Sequence, residues 1–150
     1  MAEYSMDEEI DAFFRQTTAT RAECDELALT PVGGVVIVPV AIQGVCSYTV
    51  YAGEDLDHVV RFRLSSLELP TETMNLARSV YGSFVPEVSA HGQLGADKDG
   101  ETEPREPLLV YVMGRVKGIS HLEFTLAHGY PENTPENFAW RKTLMADVAR

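Results

Sequence analysis

The sequence predicts an α+β fold built on an antiparallel sheet of about five strands. Residues Val35 to Leu64 form consecutive β-type runs separated by turn residues. Two further apolar runs follow, Val88 to Leu94 and Leu108 to Met113. Around these lie segments with capping residues and apolar side chains at helical spacing.

The first helix is announced by Ser5 and Glu8, a capping-box pattern. It carries Ile10, Phe13 and Phe14 on one side and ends near Thr17 and Thr18. A second short helix starts at Thr20 with Glu23 three residues on, and presents Ala22, Leu27 and Leu29. Pro31 and the Gly33-Gly34 pair end it. Val35 to Ile42 is β-branched, with Pro39 as an edge or bulge signal. Gln43 to Ser47 is a small-residue turn, Tyr48 to Ala52 a strand and Gly53 to Asp57 a polar hairpin turn. His58 to Leu64 alternates, with Val60, Phe62 and Leu64 on one face and Arg61 and Arg63 on the other.

Thr71 is placed to cap the main helix, which runs to about Tyr81 and packs on the sheet. Met74, Ala77 and Tyr81 share helical spacing, as do Leu76 and Val80, and Gly82 is the stop. Gly95 to Pro107 is a charged hairpin loop. Ser120 and Glu123 open a short helix that buries Leu122 and Leu126 and ends at Gly129-Tyr130-Pro131. Thr134 caps a last helix with Pro135 in its first turn, and Trp140, Leu144 and Val148 recur every four residues.

Composition narrows the function. The 150 residues fit one domain, and 45% hydrophobic content supplies a core. A net charge of −11 excludes a nucleic-acid surface, which needs a basic stripe. Cys24 and Cys46 have no metal-ligand spacing and suit a reducing compartment. The acidic N-terminus is neither a signal nor a transit peptide, and no apolar run approaches the ~20 residues of a membrane span. A soluble, cytoplasmic protein is expected. His58, His91, His121 and His128 show no metal-binding spacing, and no Gly-x-Ser-x-Gly elbow marks a serine hydrolase. The carboxylate pairs Glu8-Glu9 and Asp55/Asp57 sit at a terminus and in a turn, where solvation is their ordinary role.

Strand, small-residue turn, strand, turn and a strand ending in a cation resemble the nucleotide-binding half of a kinase fold. The pattern is most similar to the aminoglycoside phosphotransferase and choline kinase family, in particular its fungal branch. That family's first turn runs roughly Gly-Gly-x-Ser-Asn-x-Val-Tyr. Gly44, Ser47, Val50 and Tyr51 fill matching places, and Val45 and Tyr48 differ. Val85-Pro86-Glu87-Val88 is similar to the family's entry to its fourth strand, and Leu108 to Met113 to the strand that ends at the interlobe hinge.

The resemblance implies a kinase-like N-lobe over residues 35–118, preceded by a helical segment, 1–34, and followed by the start of a second lobe, 119–150. It implies a nucleotide site at Gly44, Ser47, Arg61, Arg63, Glu72 and Met113. Gly44 and Ser47 belong to the phosphate turn. Arg61 or Arg63 would grip phosphate and pair with Glu72, with Glu68 in reserve, where kinases usually place lysine. Met113 lies near the base, with Val112 and Val116, and Gly118 closes the hinge.

Complete family members use ATP and magnesium on a small-molecule hydroxyl or amine, sometimes beside secondary-metabolite pathways. Their His-Gly-Asp catalytic loop and metal-binding Asp have no counterpart here: His91-Gly92 precedes Gln93, and His128-Gly129 precedes Tyr130. No catalytic or metal-ligating residue is therefore assigned. The expectation is a truncated, kinase-like protein, inactive alone, that retains at most weak ATP binding. The alternatives are half of a split kinase, a nucleotide-sensing or partner-binding module that docks a protein through the Trp140, Leu144 and Val148 stripe, and an unrelated small α+β enzyme with a closed pocket.

Overall fold

A computed structural model describes residues 4–96, 105–118 and 134–148. The described elements are α1 (Met6–Phe14), α2 (Arg21–Leu29), β1 (Ile37–Pro39), β2 (Ser47–Ala52), β3 (His58–Leu64), α3 (Thr71–Tyr81), β4 (Val88–Leu94), β5 (Leu108–Gly114) and α4 (Pro135–Val148). Short 3-10 turns at Ser65–Leu67 and Gly82–Phe84 flank α3. The chain forms two compact units, one ending at Val116 and one starting at Lys117.

The α+β class and the five-stranded antiparallel sheet are as expected, with strand order β1-β2-β3-β5-β4. Strand β3 lies at the centre because it is paired along its length on both sides, Ser47–Ala52 with His58–Arg63 and His58–Leu64 with Leu108–Gly114. Strict alternation then sorts its side chains. Val60, Phe62 and Leu64 are buried on one face with Val50, Ala52, Leu108, Val110 and Val112.

That face is covered by α1 and α2. Ile10 and Phe13 from α1, and Cys24 and Ala28 from α2, are buried in the same core as the sheet. Phe13, Phe14, Tyr48 and Phe62 follow one another at ring separations of 5.2, 5.2 and 6.1 Å. Burying side chains such as Ile10 and Phe13 contributes about 1.5–3 kcal/mol each. The caps, Ser5 Oγ accepting from the Glu8 amide at 3.4 Å and the reciprocal Thr20–Glu23 box, contribute about 1 kcal/mol apiece. Packing therefore outweighs capping in holding these short helices. In α2 the buried side is Cys24 and Ala28, whereas Ala22 is exposed, which corrects the expected stripe.

The expected packing of α3 is also corrected. It spans the predicted residues, but none of them is buried. Leu76, Val80 and Tyr81 are 65%, 66% and 60% exposed. The physical reason is that α1 and α2 cover the face that carries Val60, Phe62 and Leu64, which leaves α3 beside the edge strand β4. Helix α3 is instead held at Met74, Ala77 and Arg78, which are half-buried; Arg78 donates to the Val85 carbonyl and approaches Glu87 at 3.9 Å. Thr71 is not its cap: Pro70 occupies that position, without a side-chain bond.

Strand β1 is three residues long rather than running from Val35 to Ile42. Pro39 lacks an amide donor; beyond it the Val40 amide makes one more backbone bond, to the Thr49 carbonyl at 3.1 Å, and a side chain then takes over the ladder. Gln43 Nε2 donates to the Val40 and Thr49 carbonyls, each at 2.9 Å, and its Oε1 accepts from the Thr49 amide at 3.0 Å. The Gln43 amide in turn donates to the Tyr4 hydroxyl at 2.7 Å. The β2–β3 turn needs Gly53, whose φ is +104°, and it is approached so closely by Gly34 that a Cβ there would lie 2.7 Å from the Gly53 Cα.

Helix α4 starts as expected, with Thr134 Oγ1 accepting from the Asn137 amide at 3.2 Å. Trp140 and Leu144 are exposed, as are Phe138 and Met145, so the exposed apolar residues are not confined to the expected stripe. The side chain of Val148, the helix expected from Ser120, the Gly129-Tyr130-Pro131 stop and most of the 95–107 loop lie outside the described residues. Among the described residues no helix is long and apolar enough to cross a membrane.

Gln43→Ala is expected to destabilise the protein by about 1–3 kcal/mol, because it leaves the buried Thr49 amide unpaired, while the Thr49 carbonyl keeps the Val40 amide. Urea unfolding monitored by fluorescence checks this; a loss under about 1 kcal/mol would show that water replaces the amide without cost.

Candidate functional site

The face of β3 opposite the core carries the basic residues. Three cross-strand rows define it. Ser47, Arg63 and Leu109 form one, Thr49, Arg61, Tyr111 and Ala90 the next, and Tyr51, Val59, Met113 and Val88 the third. Ser47, Thr49, Tyr111 and Met113 are buried, and Arg61 and Arg63 are half-buried.

Arg61 is central to this face. Its Nε donates to Thr49 Oγ1 at 3.3 Å. Among the described residues no carboxylate lies within ion-pair distance of it. Burial, and then the charge of Arg63, push its guanidinium below the ordinary value, while Cys46 acts weakly the other way. A half-buried cation beside a second cation, with no anion between, is electrostatically unsatisfied.

Arg63 is engaged differently. Its Nε donates to the Leu67 carbonyl at 2.7 Å, in the 3-10 turn that follows β3. Two residues on, the Leu69 amide donates to the Tyr111 hydroxyl at 3.2 Å. The start of this segment is held by Glu106. Its carboxylate accepts from Ser65 Oγ at 2.9 Å, the Ser66 amide at 2.6 Å and Ser66 Oγ at 2.9 Å. The Glu106 backbone is itself fixed, donating to Gln16 and accepting from the Thr18 amide.

The sequence-predicted residues divide. Ser47, Arg61, Arg63 and Met113 share one sheet face. Glu72 does not join them: it is exposed in the first turn of α3 and, among the described residues, pairs with neither arginine. It lines a hollow of about 430 Å³ with Glu68, Leu69, Pro70, Thr71 and Thr73. Gly44 closes a tight turn, accepting from the Ser47 amide at 3.3 Å. A Cβ there would meet only Ser47 Oγ, at 3.8 Å, so nothing in the turn demands glycine. Tyr48, which departs from the family pattern, faces the core and donates to Asp25 Oδ1 at 2.8 Å. Burial, then that bond, push its hydroxyl well above the ordinary value and keep it a donor.

Sequence reasoning missed Thr49, Tyr111, Gln43 and Glu106. Thr49 and Tyr111 were legible in principle, since they fall in strands at the period that places them beside Arg61. Glu106 was not, because it reaches Ser65 and Ser66 across 41 and 40 residues. Compared with known protein families, curated proteins and solved structures, the chain matches none of them.

Arg61→Met is expected to raise stability by about 1 kcal/mol, because a flexible apolar chain fills the space without desolvating a charge. Chemical denaturation reads this directly, and a loss of similar size would mean that the guanidinium is satisfied in the native state. Glu106 gives a pH signature. Burial pushes its carboxyl up, but the Ser66 amide, the Ser66 hydroxyl and the Ser65 hydroxyl together bring it below its ordinary value of 4.5. Its stabilisation is therefore complete above that value and is lost as pH falls through the lower folded value. Between about pH 6 and about pH 3, wild type should lose more stability than Glu106→Gln, and parallel profiles would remove Glu106 from the acid response.

Proposed function

We propose that this chain is the nucleotide-binding sheet of a kinase-like protein of the aminoglycoside phosphotransferase type. On its own it binds ATP weakly and transfers no phosphate. The observation that carries the reading is Arg61, a half-buried cation at the centre of the sheet with no carboxylate partner among the described residues and with Arg63 beside it. A triphosphate supplies the missing negative charge, and desolvation strengthens the contact.

Two further features support it. The succession of three strands, one helix and two strands is the one the resemblance implies. Val59 and Met113 give an apolar strip one step from Arg61, suited to a base, and the neighbouring Tyr51 ring is stacked by Arg115 at 3.8 Å. Two features depart from the family plan. Glu72 does not brace the cation, and the Gln43 side chain pins the first turn to β2. Both reduce affinity, because neither the phosphate grip nor the turn is preorganised around a ligand.

Transfer needs a base and metal-holding carboxylates. Among the described residues no three His, Cys, Asp or Glu side chains are grouped to hold a metal. Magnesium would arrive with the nucleotide, and the chain's own contribution is to bind and orient the phosphates through Arg61 and Arg63.

Calorimetry with magnesium-ATP tests the reading. Wild type should bind with a dissociation constant on the order of 0.1–1 mM. Arg61→Ala should weaken this by about tenfold or more, the loss of one charge-assisted contact. A coupled assay over a panel of alcohols and amines should show no turnover. Absence of binding would sink the nucleotide reading, and magnesium-dependent turnover would sink the claim of inactivity. A partner-docking reading is favoured separately by the exposed Leu76, Val80, Tyr81 and Phe84 around the end of α3. It gains weight if calorimetry is silent.

A further inference from the structure

We propose that the Ser65–Leu69 segment is an intramolecular strap that competes with the anion for Arg63, and that Glu106 is its latch. The proposal rests on the phosphate-binding reading of the Arg61 face.

Three side chains on other elements hold this segment, and two of them belong to that face. Arg63 Nε is committed to the Leu67 carbonyl, and the Tyr111 hydroxyl to the Leu69 amide. The third, Glu106, gathers both serine hydroxyls and the Ser66 amide. No residue of the segment is buried, so apolar packing contributes little to its placement. Polar contacts to charged groups are what fix it. A neutral backbone carbonyl is a poor match for a guanidinium that a phosphate could reach, since the phosphate brings full charge. While the strap is closed, the Nε edge of the Arg63 guanidinium is closed to an anion, and Arg61 is the guanidinium with no contact to the strap. When it opens, the Arg63 Nε is released as well, so that the full fork of the guanidinium can meet a phosphate. Affinity for a polyanion is then lowered in wild type by the fraction of molecules in which the strap is open.

The latch can be removed without disturbing its anchor. The backbone of Glu106 is bonded to Gln16 and Thr18 independently of its carboxylate, and the Ser65 amide donates to the Pro107 carbonyl at 3.0 Å. Glu106→Gln and Ser66→Ala should therefore leave the sheet intact, and the second is the milder change. The strap is expected to respond as one unit, because the Leu67 and Leu69 contacts depend on the turn that Glu106 holds.

Amide hydrogen exchange by NMR, with sodium tripolyphosphate titrations, tests this on the full 150-residue chain. In Glu106→Gln, exchange at the Ser66 and Leu69 amides and at Arg63 Nε should accelerate together, with smaller effects in Ser66→Ala. Tripolyphosphate should bind Glu106→Gln about tenfold more tightly than wild type, and Arg63→Gln in that background should return it to the wild-type level. Faster exchange at Ser66 alone overturns the strap as a unit. Concerted opening with wild-type affinity, in a protein that does bind tripolyphosphate, overturns the competition and leaves the phosphate-binding reading standing. Concerted opening with no binding in any variant overturns both.

Discussion

The docking of α1 and α2 on the sheet through Phe13, Phe14, Tyr48 and Phe62 is the contact on which the rest of the structure depends. It decides which face of the sheet is the inside. Because side chains alternate along β3, committing Phe62 to that stack commits Val60 and Leu64 to it as well. It equally commits Arg61 and Arg63 to the other face. A slip of one residue would bury both guanidinium groups and expose the core, so the register is strongly specified.

The opposite face is therefore a consequence of the core. It is mixed, with Arg61 and Arg63 among Val59, Leu109, Tyr111 and Met113. What the fold does with it is partial. Arg61 receives Thr49, and Arg63 receives a backbone carbonyl, but among the described residues no carboxylate joins either. A structure selected for stability alone would place an apolar residue or a carboxylate there. Unsatisfied charge in a half-buried position is the kind of local conflict that functional sites retain. The proposed phosphate contact and the proposed strap are two accounts of the same conflict. One supplies the missing anion, and the other shows what stands in for it on Arg63.

The edges of the sheet show the opposite economy, with backbone groups satisfied by improvised partners. Gln43 replaces a stretch of strand with one amide side chain. Glu106 ties the chain after β3 to the entry of β5 and to the loop after α1 at once. Each is a single residue bridging segments distant in sequence, so each has a large effect from a modest number of bonds. Helix α3, by contrast, is joined to the rest through half-buried positions and the Arg78 contacts, and leaves its more apolar side to solvent.

By itself the sequence determined the elements governed by local chemistry. Strands His58–Leu64 and Val88–Leu94 and helix Thr71–Tyr81 fall at the predicted residues, because alternation, turn residues and a glycine stop act within a few positions. The Ser5 cap, the Thr20–Glu23 capping box and the Thr134 cap are local for the same reason. The alternation of His58–Leu64 also separated the arginines from the core. Only the tertiary structure decided which helices would cover the sheet. Propensity and spacing point to α3 as the packed helix, and the outcome rests instead on the aromatic side chains of α1 that meet Tyr48. It also decided that Glu72 stands apart from Arg61, that β1 stops at Pro39, and that Glu106 reaches Ser65 and Ser66. Those outcomes turn on contacts across tens of residues, and no periodicity within a segment records them.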